Sequence, residues 1–427
     1  VRKALFLTRN FPPYVTSGSS RAWKFASNLA AIGWEPVVVA PPAIAGMAPD
    51  VKSGSNPVGE IYRTAPDIDA SGLNVSDRND LLHGHAVPAL NQSFKTKISG
   101  LFRDMSDGAV WEKCARETVG RLLEENPGID LLYAQGPPLE PLMLALEVTR
   151  NHSLPVMLDI TAPLDPSMPQ PGASASSAAA EAEEHILLSG VPLLTPTRVL
   201  KEYFLKKYHG RLDYGKVTIV PSAFDASHPV FRKQGSKIPG TVLRVALLVD
   251  ALPKADLKSF VAGLDAWIKA DGIMAGGLEL SLLGDGVPEL LRRVARKPIE
   301  KLFTIDETGG IDRELEQCRN ADFFCVVQGN LALSTSIIPD RLLDALGMGL
   351  PLCAIAPEGA TSRLVLEAGG LYAALGDAGA IMELFRAMSS AWSFRSLPVP
   401  PEVFRQKYAI AAAMSELKGA IASQPLI

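Results

Sequence analysis

The sequence predicts an α/β protein made of two consecutive domains, each with a parallel sheet. Three observations carry that expectation. Short continuous apolar runs, such as Pro36 to Ala40, Val156 to Ile160, Val242 to Val249 and Pro351 to Ala356, mark strands buried on both faces. Between them lie apolar residues at helical spacing, among them Ala22, Phe25, Ala26, Leu29, Ala30 and Ile32. The alternation breaks near Pro221 to Phe231 and then restarts with a strand. Alternating strands and helices mean βαβ units, which build a parallel sheet covered on both sides.

A chain of 427 residues accommodates two domains of about 200 residues each. Charged residues make up 21% and the net charge is −4, so no basic field points to nucleic acid. No stretch approaches the roughly 20 apolar residues that span a bilayer. The opening VRKALFLT is basic then apolar, like a leader peptide. It meets Arg9 and Pro12 too early and lacks a small-residue cleavage site, so it reads as a first buried strand. The four cysteines, Cys114, Cys318, Cys325 and Cys353, have no metal-ligand spacing and read as reduced, inert thiols of a cytoplasmic protein.

Lys3 to Thr8 is the first strand, followed by a small-residue loop from Thr16 to Ser20, a helix closed by Gly33 and a second strand to Ala40. Residues 41–108 are irregular, rich in Gly, Pro, Ser, Asn and Asp. Within them, His83-Gly84-His85 has turn-type surroundings and no third ligand close by, which argues against a metal site. Asn91 to Phe102 mixes Lys95 and Lys97 with Phe94, Ile98, Leu101 and Phe102. It reads either as a short amphipathic helix at a membrane surface or, more plainly, as one packed on its own domain.

Trp111 to Glu125 is an amphipathic helix, Leu131 to Ala134 a strand, and GPPLEPLMLALEVTR a turn and helix. Asp159, at the end of the next strand, reads as a polar group facing a cleft or as a cap. Glu181, Glu183 and Glu184 read as the solvated face of a helix. Val191 to Thr195, Val199 to Tyr208 and Lys216 to Val220 complete the first series as strand, helix and strand.

In the second series, Leu278 to Leu283 and Gly284-Asp285-Gly286 give a strand and turn. Phe303 to Ile305, Ile311 to Asn320 and Asp322 to Val327 then give strand, helix and strand. The stretch from Ile338 to Tyr372 organises the whole. A helix from Arg341 to Met348 carries Leu342, Leu343 and Leu346 on one face and stops at Gly349. Pro351 to Ala356 is a buried strand, broken by Pro357 and Gly359, and Ala360 to Ala368 is a helix. A helix opening past the carboxyl end of a parallel strand presents free N–H groups and a positive dipole end, which suits a phosphate. A single helix from Glu402 to Leu417 closes the sequence.

Pro339, Arg341, Asp344, Gly349 and Pro351 resemble the P-x-K-x-x-E-x-x-x-x-G-x-P segment of GT-B retaining glycosyltransferases of the "group one" type, family four. The opening F-P-P, the block around Pro137, Pro138 and Asp159, and Pro221, Asp225 and Phe231 before the second domain resemble that family as well. The resemblance implies two Rossmann-like, doubly wound domains facing a central cleft. Residues 1–225 would form the acceptor-side domain, 226–400 the donor domain, and 401–427 a helix returning across the cleft.

The resemblance further implies a retaining, metal-independent sugar transfer from a nucleotide-diphosphate sugar, with no cofactor and with a glycan, lipid-linked or small-molecule acceptor. Gly18, Lys254, Arg341, Asp344, Gly359, Ala360, Thr361 and Ser362 are the donor-binding positions, with Asp344 for the ribose and Arg341 and Lys254 for the diphosphate charge. Arg21 and Asp159 are acceptor-side candidates, and no catalytic residue is assigned.

The sequence departs from the family at several places. Ser336 stands where a glutamate is expected, Asp250 and Ala251 stand where glycine and arginine are, and Ser222 and Ala223 replace an Asn-Gly pair. These losses leave a second expectation open, an inactive GT-B scaffold or accessory subunit. On either expectation, residues 41–108 are the candidate contact with a membrane, a lipid-linked acceptor or a protein partner.

Overall fold

The computed structural model describes residues 2–13, 18–42, 44–45, 58–64, 68–69, 108–164, 177–232, 241–250, 252–271, 277–305, 311–330 and 334–423. The chain divides into two compact units, one of Val1–Pro221 with Ile410–Ile427, the other of Ser222–Ala409. His83, His85, the 91–102 stretch and Ala251 lie outside the described residues.

Unit 1 contains strands β1 (Arg2–Leu7), β2 (Trp34–Ala40), β4 (Glu60–Arg63), β6 (Ile129–Gly136), β7 (Val156–Ile160), β8 (Leu193–Thr195) and β9 (Val217–Ile219) in one sheet, in the order β4-β2-β1-β6-β7-β8-β9. Every pairing in it is parallel. The irregular segment thus supplies an edge strand, β4, alongside a two-stranded piece, β3 (Ile44–Ala45) with β5 (Ile68–Asp69). Its helices are α1 (Ser19–Asn28), α2 (Gly108–Glu125), α3 (Leu139–Asn151), α4 (Ser177–Leu187) and α5 (Arg198–Lys207). The expected first helix tightens into a 3₁₀ turn at Leu29–Ile32 before Gly33, whose φ of 89° reverses the chain into β2.

Unit 2 begins with a short helix α6 (Pro229–Arg232). Its sheet has the order β12-β11-β10-β13-β14-β15, with β10 (Leu243–Val249), β11 (Leu278–Leu283), β12 (Phe303–Thr304), β13 (Phe323–Val327), β14 (Leu352–Ala356) and β15 (Leu371–Ala374), again all parallel. The helices that follow are α7 (Lys254–Asp271), α8 (Val287–Val294), α9 (Ile311–Asn320), α10 (Asp340–Gly347), α11 (Ala360–Glu367), α12 (Ala378–Ser393) and α13 (Glu402–Gln406). This is the doubly wound strand order 3-2-1-4-5-6, and unit 1 runs through the same order before its last strand.

Period-two alternation on β10 explains the double winding. Val245, Leu247 and Val249 face one core with Phe260, Trp267 and Phe385, where Trp267 and Phe385 stack at 5.1 Å. Ala246 and Leu248 face the other core with Leu342, Leu346 and Leu364. Gly349 ends α10 at φ 72°, with Leu350 N–H donating to Ala345 O and Gly349 N–H to Leu346 O. Gly369 ends α11 in the same way. Both are Schellman stops that only glycine forms without strain.

The single closing helix expected from Glu402 to Leu417 is instead two, α13 and α14 (Ile410–Ala422). Between them Tyr408 O accepts a hydrogen bond from Phe224 N–H at 3.0 Å, and Ala409 forms a parallel bridge with Phe224. A backbone pairing from distant sequence takes the place of helical hydrogen bonds there. α14 packs on α1 inside unit 1.

Candidate functional site

In a doubly wound sheet, ligands meet the carboxyl ends of the strands where the strand order reverses. In unit 2 that point lies between β10 and β13, and in unit 1 between β1 and β6. Each point carries one polar pair. Asp250 follows β10 and Gln328 follows β13, on paired strands, and the Gln328 amide acts to lower the Asp250 carboxyl pKa. Thr8 follows β1, and its hydroxyl donates to Gln135 Oε1 on β6 at 3.0 Å.

The Gly284–Gly286 turn is pressed against the end of β10. Gly286 N–H donates to Val249 O at 2.9 Å, and a Cβ on Gly286 would lie 2.0 Å from Asp250 O. Only glycine permits that approach, and it brings Asp285 close to Asp250. Burial first, then the Asp285 charge, pushes the Asp250 carboxyl up to about 6, although the Gln328 amide opposes the rise. Gln328 is 2% exposed, and its Oε1 has no hydrogen-bond partner among the described residues.

The expected phosphate turn joins β14 to α11 through Gly359. A Cβ on Gly359 would lie 2.3 Å from Thr335 O, so the 334–337 strand of backbone closes directly onto the turn. Ala360 N–H donates to Thr335 O at 2.7 Å, Gly359 N–H to Ser362 Oγ at 2.9 Å, and Thr361 Oγ1 to Ile337 O at 3.0 Å. Two of the four amides named from the sequence are therefore already bonded. Those of Thr361 and Ser362, at the second and third helical positions, have no acceptor within the helix. Ser336, in place of the expected glutamate, is buried in the same segment.

On α10, Arg341 Nε donates to Glu314 Oε2 of α9 at 2.7 Å, and Arg341 Nη1 to Asp344 Oδ2 at 2.9 Å. Burial alone would lower the guanidinium pKa, but Glu314 and Asp344 outweigh it and hold Arg341 charged. Asp344 is 3% exposed. Lys254 opens α7 as an exposed residue.

In unit 1, Gly18 caps α1, and a Cβ there would lie 2.7 Å from Asn10 Nδ2, which itself donates to Pro137 O. Arg21 grips Asp159 through two bonds of 2.8 Å, Tyr133 Oη donates to Asp159 Oδ2 at 2.6 Å, and the guanidinium lies 4.1 Å from the Phe25 ring centre. Asp159 is neither exposed nor a cap. It is an interior β7 residue that joins α1, β6 and β7.

Glu183, expected on a solvated face, is fully buried. Its Oε1 accepts from Lys207 Nζ and Tyr208 Oη, and its Oε2 from Leu164 N–H. The helical pattern hid this because three neighbouring glutamates look equivalent in sequence. Thr8, Gln135 and Gln328 were also missed, although a signal existed. Each stands at the end of an otherwise apolar parallel strand.

No family model matches the sequence, and no curated relative does. Solved structures do match in fold. A sucrose-phosphate synthase from Thermosynechococcus elongatus superimposes with a TM-score of 0.63 at 13% identity, covering 99% of this chain and 98% of its own. HepE of Anabaena in complex with UDP-glucose gives 0.61 at 12%, covering 99% and 100%. An alpha,alpha-trehalose-phosphate synthase (UDP-forming) from Burkholderia vietnamiensis gives 0.59 at 11%, covering 99% and 97%. The fold is GT-B. Among the described residues no helix is long and apolar enough to cross a membrane.

Proposed function

We propose that this protein is a retaining glycosyltransferase that moves a sugar from a nucleotide-diphosphate sugar to a glycan, lipid-linked or small-molecule acceptor. The observation that carries this reading is the glycine-gated turn from β14 into α11, held by Thr335 at the carboxyl edge of a doubly wound sheet. Its two amides without helical acceptors, Thr361 and Ser362, suit a diphosphate at the positive end of the helix dipole. Asp344 accepts ribose hydroxyls, and Lys254 offsets phosphate charge. Arg341 orients Asp344 in this scheme, since its own charge is engaged by Glu314. Arg21 and Asp159, bonded to each other, support the acceptor-side strand ends.

A second reading, a GT-B scaffold without catalysis, draws on one observation. The Arg341, Glu314 and Asp344 side chains form a closed ion-pair network where an enzyme of this type would present charge to its donor.

A thermal-shift titration with UDP, GDP, ADP and their sugar conjugates separates the two. UDP leads the series because a structural neighbour was solved with UDP-glucose. A ligand at 100 times its dissociation constant adds about 2.7 kcal/mol. Stabilisation by one nucleotide, followed by release of that nucleotide from its sugar conjugate over hours, supports the transferase. Stabilisation without turnover favours the scaffold. No shift at millimolar concentration of any of them removes the donor site.

A further inference from the structure

Unit 1 holds an open cavity of about 520 Å³ between α3, α4 and the turn that follows α5. That volume falls within the range of about 300–1,000 Å³ typical of small-molecule sites. α3 and α4 each run back to the start of the next strand, so the cavity lies at the amino ends of β7 and β8. This is the edge of the sheet opposite the strand-order reversal. Its floor is apolar. Leu146 belongs to the core of unit 1, and Leu188 and Val191 pack against that core.

Four charged side chains and one imidazole line the cavity above that floor. Arg211 Nη2 donates to Glu184 Oε1 at 2.6 Å, which matches one pair of charges. The other two do not meet. Arg150 Nη2 instead donates to His185 Nε2 at 3.1 Å, and Glu181 has no hydrogen bond or ion pair among the described residues. A guanidinium only donates, so Nε2 accepts and the neutral imidazole carries its proton on Nδ1. Glu181 stands one helical turn before His185 on α4, with Arg150 held against the ring. A lone exposed charge needs no ligand. Two of opposite sign, kept apart over an apolar floor in one cavity, match a particular kind of molecule. We propose that this cavity binds a small zwitterion of the α-amino-acid type. Its carboxylate meets the free N–H groups of Arg150, its ammonium meets Glu181, and an aliphatic side chain lies on Leu146, Leu188 and Val191. The planar guanidinium fork suits a carboxylate. The rim carries the two positive charges of Arg150 and Arg211 against the two negative charges of Glu181 and Glu184, so a ligand of zero net charge complements it. A dianion such as phosphate would face both carboxylates and the negative dipole ends of α3 and α4. This site stands apart from the nucleotide-sugar reading and does not depend on it.

The test is calorimetric titration of the full chain with L-leucine as the probe. N-acetyl-L-leucine lacks the ammonium, isopentylamine lacks the carboxylate, and inorganic phosphate is the anion control. L-leucine is expected to bind once per chain, at least about tenfold more tightly than any of the other three. Glu181→Gln is expected to bring L-leucine down to the affinity of N-acetyl-L-leucine, and Arg150→Gln to bring it down to that of isopentylamine. Each variant thereby erases one preference and keeps the other, a pattern that general loss of structure does not produce. Lys206→Gln, an exposed change on α5, is expected to leave L-leucine binding unaltered, and melting curves confirm that each variant is folded. Absence of L-leucine binding to the wild type overturns the site. Equal L-leucine affinity in the wild type, Glu181→Gln and Arg150→Gln also overturns it. Phosphate binding that exceeds L-leucine binding and needs Arg150 overturns the zwitterion in favour of a simple anion.

Discussion

Arg21 and Asp159 are 138 residues apart in sequence and meet inside unit 1 as a two-bond ion pair, 2.8 Å on each arm, both side chains almost fully buried. The carboxylate also holds the Tyr133 hydroxyl, whose pKa is raised by burial first and by the Asp159 charge second. Removing one partner leaves a buried charge without compensation. Arg21→Ala is expected to lower stability by about 3–5 kcal/mol, and the double replacement Arg21→Met with Asp159→Leu by much less. Arg21→Lys should recover only part of the loss, because an ammonium cannot form the planar two-bond contact. Urea unfolding of the four proteins checks the order.

Asp250 sets a second expectation. Its folded-state pKa, raised from 3.8 to about 6, exceeds the unfolded value. Between these limits the folded state holds the proton more tightly than the unfolded one, so stability falls as pH rises from about 4 to about 6 and then levels. The full effect is roughly 3 kcal/mol, a ceiling. Asp250→Asn should remove this component, read as the difference between the two proteins' urea midpoints across that range.

Gly359 and Gly286 test the tight approaches. An added methyl would meet backbone atoms at 2.3 Å and 2.0 Å, and backbone yields less readily than a side-chain tip. Gly359→Ala and Gly286→Ala should each cost about 1–3 kcal/mol. Gly33→Ala, where nothing lies within 4 Å but φ is 89°, should cost about 1 kcal/mol from backbone strain alone. Thermal denaturation of the three variants orders them.

The α9–α10 contact depends on Arg341. Arg341→Ala leaves Asp344, which is 3% exposed, and Glu314 without their shared cation, and it should cost about 3 kcal/mol or more. Asp344→Asn keeps the shape and Arg341 still bonds Glu314, so it should be milder. Its effect should appear mainly in nucleotide affinity, measured by calorimetry.

The thiols give the simplest check. Burial raises the pKa of Cys318 to about 12 and pushes Cys325 and Cys353 up as well. Cys114 on α2 is half-buried. A disulfide reagent at pH 8 should modify at most one thiol in the native protein, and Cys114→Ser should abolish that fast phase.

Sequence alone determined the two βα series, their parallel pairing and the glycine stops at Gly33 and Gly349. These follow from short-range rules: apolar runs of strand length, helical spacing and the backbone freedom of glycine. It also placed the turn at Gly359, because a break between a buried strand and a helix is local. Tertiary structure alone decided which polar groups meet. By its position in the motif Arg341 is a cation for phosphate, yet its partner Glu314 lies 27 positions away and carries no mark in sequence. Glu183 looked like its neighbours until folding buried it under Lys207 and Tyr208. The final helix broke at Tyr408 and Ala409 because Phe224 supplied a backbone partner there. Asp250 and Gln328 are 78 residues apart, and their meeting depends on β10 pairing with β13 rather than with the next strand alone. Propensity acts over a few residues, whereas the energy of a buried charge is set by whatever the chain brings within hydrogen-bond reach.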